Sequence, residues 1–211
     1  WTPPIGPGLW VPTPPGYGPA ALPCLGTNAR TFNKDIKTLA QAGPPPAYST
    51  DPGSEYYKYA DEVNQYRTSL TSADTLFINS WLDFQPKNFN TVSRMNKLQT
   101  DILKSQSVHL AEAAVRYSKI NIAMFDAIMT TAAGKFKYTI QRPIIYIRNV
   151  MGQTSWNSYI PLAPLPQIPT LPFPSYPSYM AAVVSAGTAI LESYQGTAYP
   201  VTDATQEILY G

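Results

Sequence analysis

The chain has few of the residues that build metal sites, disulfides and strongly charged surfaces. Its 211 residues include a single cysteine, Cys24, and a single histidine, His109. One cysteine excludes a disulfide within the chain and a cysteine-rich zinc or iron–sulfur site, and one histidine excludes a histidine-rich metal site. Charged residues make up 13% of the chain, about half the roughly 25% of an ordinary globular domain.

Net charge and hydropathy exclude two further classes of protein. Fifteen basic residues against thirteen acidic ones leave a formal charge of +2, too little for an electrostatic nucleic-acid binder. The longest uncharged apolar stretch near the C-terminal end, residues 179–191, is too short to cross a bilayer, so we expect no transmembrane segment. The low charge and fifteen tyrosines favour an extracytoplasmic location (periplasmic, surface or secreted). Because the sequence starts at Trp1 and not at Met, we expect a processed form, a fragment, or only the ordered part of a longer chain.

Proline is concentrated at the N-terminal end, where eight of the first 23 residues are proline. Proline lacks the backbone donor that a helix needs, so no helix is expected there. Disorder is one interpretation. Interspersed aromatic residues such as Trp1, Trp10 and Tyr17 favour an extended arm that packs on the body. We therefore expect a Pro/aromatic-rich arm over residues 1–46 and a helical domain over residues 47–211.

The rest of the chain has helical periodicity. Ser54 is placed to cap one helix, and Thr71 with Asp74 resembles a capping box before a second helix that ends at Pro86. Residues 91–131 contain no proline or glycine. From Leu110 onward the apolar residues occur on nearly all sides of the predicted helix, which indicates a buried central helix. Gly134 is expected to end this helix.

A last helix is expected after Ser178, where apolar residues recur at spacings of three and four. A Pro-rich loop over residues 161–177 precedes it. No alternation of period two is sustained, so the fold class is all-α.

Two short segments carry groups suited to binding an anion. Lys135 and Arg142 flank a six-residue spacer, and their ammonium and guanidinium groups suit a tetrahedral oxyanion. The alternative is a solvated basic loop. Ser178 lies at the start of the last helix, where free backbone N–H groups and the helix dipole favour an anion. The alternative for Ser178 is an ordinary N-cap.

Together these segments resemble the superfamily of vanadium-dependent haloperoxidases and type 2 phosphatidic acid phosphatases (PAP2). That family carries K-x6-R-P, then P-S-G-H, then S-R-x5-H-x3-D. Lys135 and Arg142-Pro143 match the first motif, and Pro177-Ser178 match half of the second. The stretches at residues 10–17, 19–23, 45–49 and 142–148 resemble the bacterial haloperoxidase-like branch. The resemblance implies a helical bundle of that type, with Lys135, Arg142 and Ser178 binding vanadate or phosphate.

The chain departs from the family pattern at the positions that carry the chemistry. Tyr179 replaces the glycine of P-S-G-H, and Met180 replaces its histidine, which is an acid–base group in the family. The third motif, which supplies the histidine that binds vanadium or attacks phosphorus, is absent from this sequence. The chain therefore looks truncated or degenerate and incomplete at its C-terminal end, and no residue of it is assigned a catalytic role.

Two functions follow from this resemblance. One is a vanadium-dependent haloperoxidase or phosphatase-like protein that binds vanadate or phosphate, with a missing C-terminal segment completing its active site. The other is a non-catalytic binding or assembly subunit, in which Tyr179 and Met180 fill the old pocket and a protein partner packs against the scaffold. A plain anion-binding module lies between them.

The remaining candidate residues are interpreted as structural. His109 matches no catalytic position of the family, and Cys24 has no nearby histidine to activate it. Asp126 is expected to be a buried carboxylate paired with a cation. Asp203 is expected to cap a helix.

Overall fold

The chain folds into α-helices, as the sequence predicts. The computed structural model describes residues 1–81, 90–159 and 170–203. These ranges contain eight helices and no named strand; Leu9 and Ile140 form an isolated antiparallel bridge. The helices are α1 (Cys24–Thr27), α2 (Ile36–Leu39), α3 (Glu55–Ser69), α4 (Ser72–Ser80), α5 (Thr91–Ser105), α6 (Leu110–Tyr138), α7 (Pro143–Asn149) and α8 (Tyr179–Gln195). No helix in the described ranges has both the length and the apolar character to cross a membrane.

The helices are distributed over two compact units, each built from three stretches of chain. The first unit comprises residues 1–29, 41–79 and 132–177. The second comprises residues 30–40, 80–131 and 178–211. Most of α6 therefore belongs to the second unit, and its last two turns belong to the first.

The first unit is built around the packing of α3 against α7. Ser54 begins α3 as predicted, because its Oγ accepts a hydrogen bond from the backbone N–H of Tyr57 at 3.2 Å. Pro143 occupies the first turn of α7, where its missing N–H costs no hydrogen bond. The buried core between the two helices consists of Ala60, Ile144, Tyr146, Ile147 and Trp156.

The N-terminal stretch contributes buried aromatic surface to the same unit. Trp10 is fully buried, and its backbone N–H donates to the carbonyl of Thr139 at 2.6 Å. The N–H of Gln141 donates to the carbonyl of Gly8 at 2.9 Å. Gly8 has a φ of 76°, and a side chain there would meet Tyr48, so this close approach requires glycine. The boundary of an arm at residue 46 stays a prediction.

The second unit is built around the packing of α5 against α8. Its buried core consists of Met95, Ile120, Met124 and Val183. Arg94 is buried beside this core, with its Nε 2.5 Å from a carboxylate oxygen of Asp203 and its guanidinium 4.0 Å from the centre of the Trp81 ring. Asp203 thus pairs with a cation, and the helix that it was expected to cap lies outside the described residues.

The long proline-free stretch forms two helices, not one. α5 ends at Ser105 and α6 begins at Leu110, with Ser107 at a φ of 50° between them. The first half of α6 is also more exposed than its sequence predicts. Leu110 is 80% exposed and Val115 is 51% exposed. The prediction from the sequence that this part of α6 is buried is therefore wrong.

The end of α6 also differs from the prediction. The helix passes through Gly134 and ends at Tyr138, so Lys135 lies on the helix and not in a loop after it. A Cβ at residue 134 would come within 2.9 Å of the Gln41 amide and 3.0 Å of the Pro177 ring. Gly134 is therefore required by close packing within the first unit and does not terminate the helix.

The start of α4 agrees with the predicted capping box. Thr71 and Asp74 exchange hydrogen bonds: the Thr71 N–H donates to the Asp74 carboxylate at 2.9 Å, and the Asp74 N–H donates to the Thr71 Oγ at 3.2 Å. The predicted end of this helix at Pro86 lies outside the described residues, as does most of the Pro-rich loop before Leu171.

Candidate oxyanion site

Lys135 is held inside the first unit by the last turn of α6. The residue is 1% exposed, and its Nζ donates to the backbone carbonyls of Pro174 at 2.8 Å and Ser175 at 3.0 Å. The same Nζ lies 5.0 Å from the centre of the Phe173 ring. A solvated basic loop, the alternative offered by the sequence, is therefore wrong for Lys135.

Arg142 reaches the same segment from the start of α7. Its extended backbone (φ −76°, ψ 149°) makes it the residue before the first turn, because Pro143 restricts the preceding residue to extended conformations. Its Nε donates to the carbonyl of Phe173 at 2.6 Å, and its guanidinium lies 4.6 Å from the centre of the Phe173 ring. The two motif cations thus meet on residues 173–175.

The turn between the two cations is sharp. α6 ends at Tyr138, and Thr139 follows with a φ of 50°, a left-handed conformation that β-branched residues rarely adopt. Its N–H donates to the Lys135 carbonyl at 2.8 Å, and its own carbonyl accepts from Trp10. These bonds hold the turn that directs both cations to the same segment.

The cations share a buried and positively charged environment. Burial, together with the charge of Arg142, lowers the pKa of Lys135 to about 7. Burial lowers the pKa of Arg142 to about 10. Both shifts have the direction expected when a charged group loses water without gaining a carboxylate.

Arg142 keeps one donor unused. Its Nη2 is buried and has no hydrogen-bond partner in the part of the chain that the structure describes. A buried guanidinium N–H without an acceptor is costly, whereas an anionic oxygen at this position would satisfy it. The charges of Lys135 and Arg142 and the unused Nη2 donor of Arg142 therefore suit an oxyanion, whereas the Nζ of Lys135 already donates to two carbonyls.

Ser178, the third predicted ligand, belongs to the second unit. It is exposed, and its Oγ accepts a hydrogen bond from the Ala181 N–H at 3.3 Å. The hydroxyl therefore acts as the N-cap of α8, which is the alternative that the sequence also allowed. Its role as an oxyanion ligand stays a prediction.

The two altered motif positions occupy the first turn of α8. Tyr179 is half-buried, and burial raises the pKa of its phenol to about 12. Met180 is 38% exposed, so its side chain is not enclosed as the pocket-filling interpretation expects. A methionine thioether cannot donate or accept a proton in catalysis.

The other candidate residues take structural positions. Asp126 is buried in α6, and its carboxylate accepts from the backbone N–H groups of Phe32 at 2.8 Å and Asn33 at 2.9 Å. Within the described residues Asp126 holds a loop, and the expected ion pair with a cation is not found there. His109 is exposed before α6, where its ring accepts from the Ala111 N–H at 3.3 Å, and Cys24 is an exposed free thiol. No group of three metal-ligating side chains occurs in the described ranges.

Phe173 is the residue at this site that the sequence analysis missed. Its ring is contacted by both cations, and its carbonyl accepts from Arg142. The signal available in the sequence was an aromatic residue between Pro172 and Pro174. The two prolines restrict the backbone of this segment and supply no N–H groups of their own.

Comparison with known proteins supports the helical fold. Residues 116–208 match the family model of the VCPO second helical-bundle domain. A bacterial vanadium-dependent iodoperoxidase of known structure has the same fold, with a TM-score of 0.81 and 24% sequence identity over 97% of this chain. The match covers 49% of the iodoperoxidase, so this chain spans about half of its length. No curated protein sequence matches the chain.

Proposed function

We propose that the chain, whose residues 116–208 match the VCPO second helical-bundle domain and which has the fold of a vanadium-dependent iodoperoxidase, is a member of the vanadium-dependent haloperoxidase superfamily and supplies an oxyanion-binding part of a vanadate or phosphate site. The observation that carries this proposal is the buried pair of Lys135 and Arg142 on residues 173–175. Both cations lose water, and the Nη2 of Arg142 lacks an acceptor among the described residues. An oxyanion would compensate both costs.

In this proposal the chain holds the anion and neutralises its charge. Arg142 donates from its planar guanidinium, and Lys135 contributes a point charge from the wall of the site. Vanadate, when bound, supplies the centre that activates peroxide for halide oxidation in the superfamily.

Binding of the anion is coupled to protonation of Lys135. A negative charge beside the ammonium group favours its charged form and raises its pKa from about 7. The complex therefore takes up protons near neutral pH, and oxyanion affinity should rise as the pH falls from 8 towards 6, for an anion of constant charge.

Acid–base and nucleophilic chemistry come, in this proposal, from a further segment of polypeptide that carries the third motif. Both the peroxidase and the phosphatase reactions of the superfamily need that histidine. The iodoperoxidase, of which this chain matches 49%, is long enough to contain such a segment. Which reaction the complete site performs is then decided by that segment.

A non-catalytic binding subunit is the second candidate. Met180 favours it, because this residue replaces the family's acid–base histidine and general acid–base catalysis typically contributes about 10²–10⁴-fold. Because the third motif is absent from this sequence, the assay that discriminates between the two measures vanadate-dependent halide oxidation and phosphatase activity of the chain together with the segment that carries that motif. Turnover above the protein-free blank supports the enzyme, and oxyanion binding without turnover supports the subunit.

The proposal is tested by titrating the protein with vanadate and with phosphate in a calorimeter. Arg142→Gln should weaken binding by about 10-fold or more, since a charge-assisted hydrogen bond contributes about 1.5–3 kcal/mol. Arg148→Gln is the matched control: Arg148 lies on α7, of which Arg142 is the N-cap, and it also donates its Nε to a backbone carbonyl, that of Trp156. Equal affinities for the two variants would contradict the proposed role of Arg142.

A further inference from the structure

A second feature of the first unit is a pocket next to Arg142. Its volume is about 260 Å³. One wall is the face of α3 that carries Tyr56, Tyr59, Ala60 and Val63. The other walls include the turn before α7 and the segment that accepts hydrogen bonds from the two cations. The lining residues are Pro45, Pro46, Tyr56, Tyr59, Ala60, Val63, Ile140, Gln141, Arg142, Pro143, Tyr146, Ser175 and Tyr176.

The size and the walls of the pocket suit one aromatic ring with a substituent. A dry cavity of about 150 Å³ holds benzene, so 260 Å³ admits a ring with a polar group. Four tyrosines and three prolines line the pocket, and their flat faces favour stacked or edge-on contact with another ring. An extended aliphatic chain would leave these ring faces poorly matched.

The charged group in the lining of the pocket favours an acid. The described lining includes Arg142 and no aspartate or glutamate, and the Glu55 carboxylate beside the α3 wall accepts a hydrogen bond from the Tyr59 hydroxyl at 2.8 Å. The Gln141 side chain is already used, because its Nε2 donates to the Tyr56 hydroxyl at 3.2 Å. Arg142 is a lining residue, and its buried Nη2 has no acceptor in the described ranges. The strongest polar interaction that the lining offers is therefore a guanidinium–carboxylate contact.

We propose that this pocket binds a small aromatic carboxylate, with its ring against Tyr59 and the neighbouring tyrosine and proline walls and its carboxylate on Arg142. The ligand shares Arg142 with the proposed oxyanion site. An aromatic acid and vanadate should therefore compete for the protein. The inference does not require vanadate to bind, since the pocket and the free donor are independent of it.

The test compares three probes by calorimetric titration of the whole chain. Benzoate has the ring and the charge, cyclohexanecarboxylate has the charge alone, and benzamide has the ring alone. Benzoate should bind about 10-fold tighter than cyclohexanecarboxylate, the upper end of what an aromatic contact contributes beyond its area. Benzoate should also bind at least about 10-fold tighter than benzamide, because benzamide lacks the charge.

Two variants on the same helix locate the ring. Tyr59 lines the pocket and is 54% exposed, and Tyr66 lies two turns further along α3, is 64% exposed and does not line it. Tyr59→Ala should weaken benzoate binding about fivefold, and Tyr66→Ala should leave it within about twofold. Because both side chains are exposed, neither change removes core packing, and circular dichroism verifies that both variants fold.

The outcomes separate this inference from the proposed function. Vanadate binding without benzoate binding overturns the aromatic-acid site and leaves the proposed function standing. Benzoate binding that Tyr59→Ala and Arg142→Gln both weaken supports the inference, whether or not vanadate binds. Benzoate affinity that neither variant changes, or that equals the affinity for cyclohexanecarboxylate, also overturns it.

Discussion

Lys135 has an ammonium group in a residue that is 1% exposed, close to a second cation. Its pKa falls from 10.5 in the unfolded chain to about 7 in the folded one. Between these values the unfolded chain binds more protons, so stability rises with pH. This contribution is complete above pH 10.5 and is lost as the pH falls to about 7.

The pH dependence of unfolding should therefore depend on Lys135. Between pH 7.5 and 9.5 the free energy of unfolding of the wild type should rise relative to Lys135→Met, by about 1 kcal/mol per pH unit. Urea titrations at several pH values measure this difference. A pH-independent difference between the two proteins would show that the lysine titrates normally in the folded state.

Asp126 is a second buried charged residue, and its role is structural because its carboxylate accepts two backbone hydrogen bonds. Asp126→Asn keeps the shape but turns one acceptor into a donor that faces a backbone N–H, so the free energy of unfolding should fall by about 1–3 kcal/mol. Asp101→Asn is the control, because Asp101 pairs on a partly exposed helix face with Lys97 and should change stability by less than about 0.5 kcal/mol. Denaturant midpoints compare the two, and equal losses would contradict the account.

Residue types in the sequence identified the groups at the candidate site but not all of their partners. The resemblance to the K-x6-R-P motif predicted that Lys135 and Arg142 act together, and both donate to residues 173–175. The backbone carbonyls that accept their hydrogen bonds are set by the path of residues 173–175, which no local pattern encodes. The partner of Asp126 was unpredictable for the same reason. Its burial could be predicted from the sequence, but its hydrogen-bond donors are backbone N–H groups of a loop that is distant in sequence.

Helix starts were predictable at the scale of elements, because caps are local. Ser54, Thr71 and Ser178 each accept the backbone N–H that their sequence context predicts. The end of α6 was not predictable in this way. Gly134 has the composition of a helix stop, yet its role is set by Gln41 and Pro177, which are distant in sequence.

Gly134→Ala tests this account of α6. In an exposed helix the change would stabilise by about 1 kcal/mol. Here the added Cβ meets the rigid Pro177 ring at 3.0 Å, so we expect a loss of about 1–3 kcal/mol in the free energy of unfolding.

Ser118→Ala is the matched control for Gly134→Ala. Ser118 is exposed on the same helix, and the change should leave stability within about 0.5 kcal/mol, with a small gain from helix propensity. Thermal or urea unfolding measures both variants. A gain for Gly134→Ala like that of an exposed site would mean that the helix does not need glycine there.

For the whole molecule, the all-α class followed from the sequence, and the division into two units did not. The predicted boundary at residue 46 follows a change in composition, whereas each compact unit is assembled from three separate stretches. Such an arrangement depends on contacts between distant residues, which periodicity does not report. The family resemblance predicted the type of helical bundle, which local patterns could not, and the matched fold extends over 97% of the chain.

The central claim is that Lys135 and Arg142 hold an oxyanion, and the location of a heavy tetrahedral anion tests it most directly. Crystals of the protein grown with tungstate would reveal the metal by anomalous scattering. The account predicts a tungsten peak whose oxygens accept from the Nη2 of Arg142, lost in Arg142→Gln crystals and retained in Arg148→Gln crystals. A peak elsewhere, or no peak at a tungstate concentration that saturates binding in solution, would contradict it.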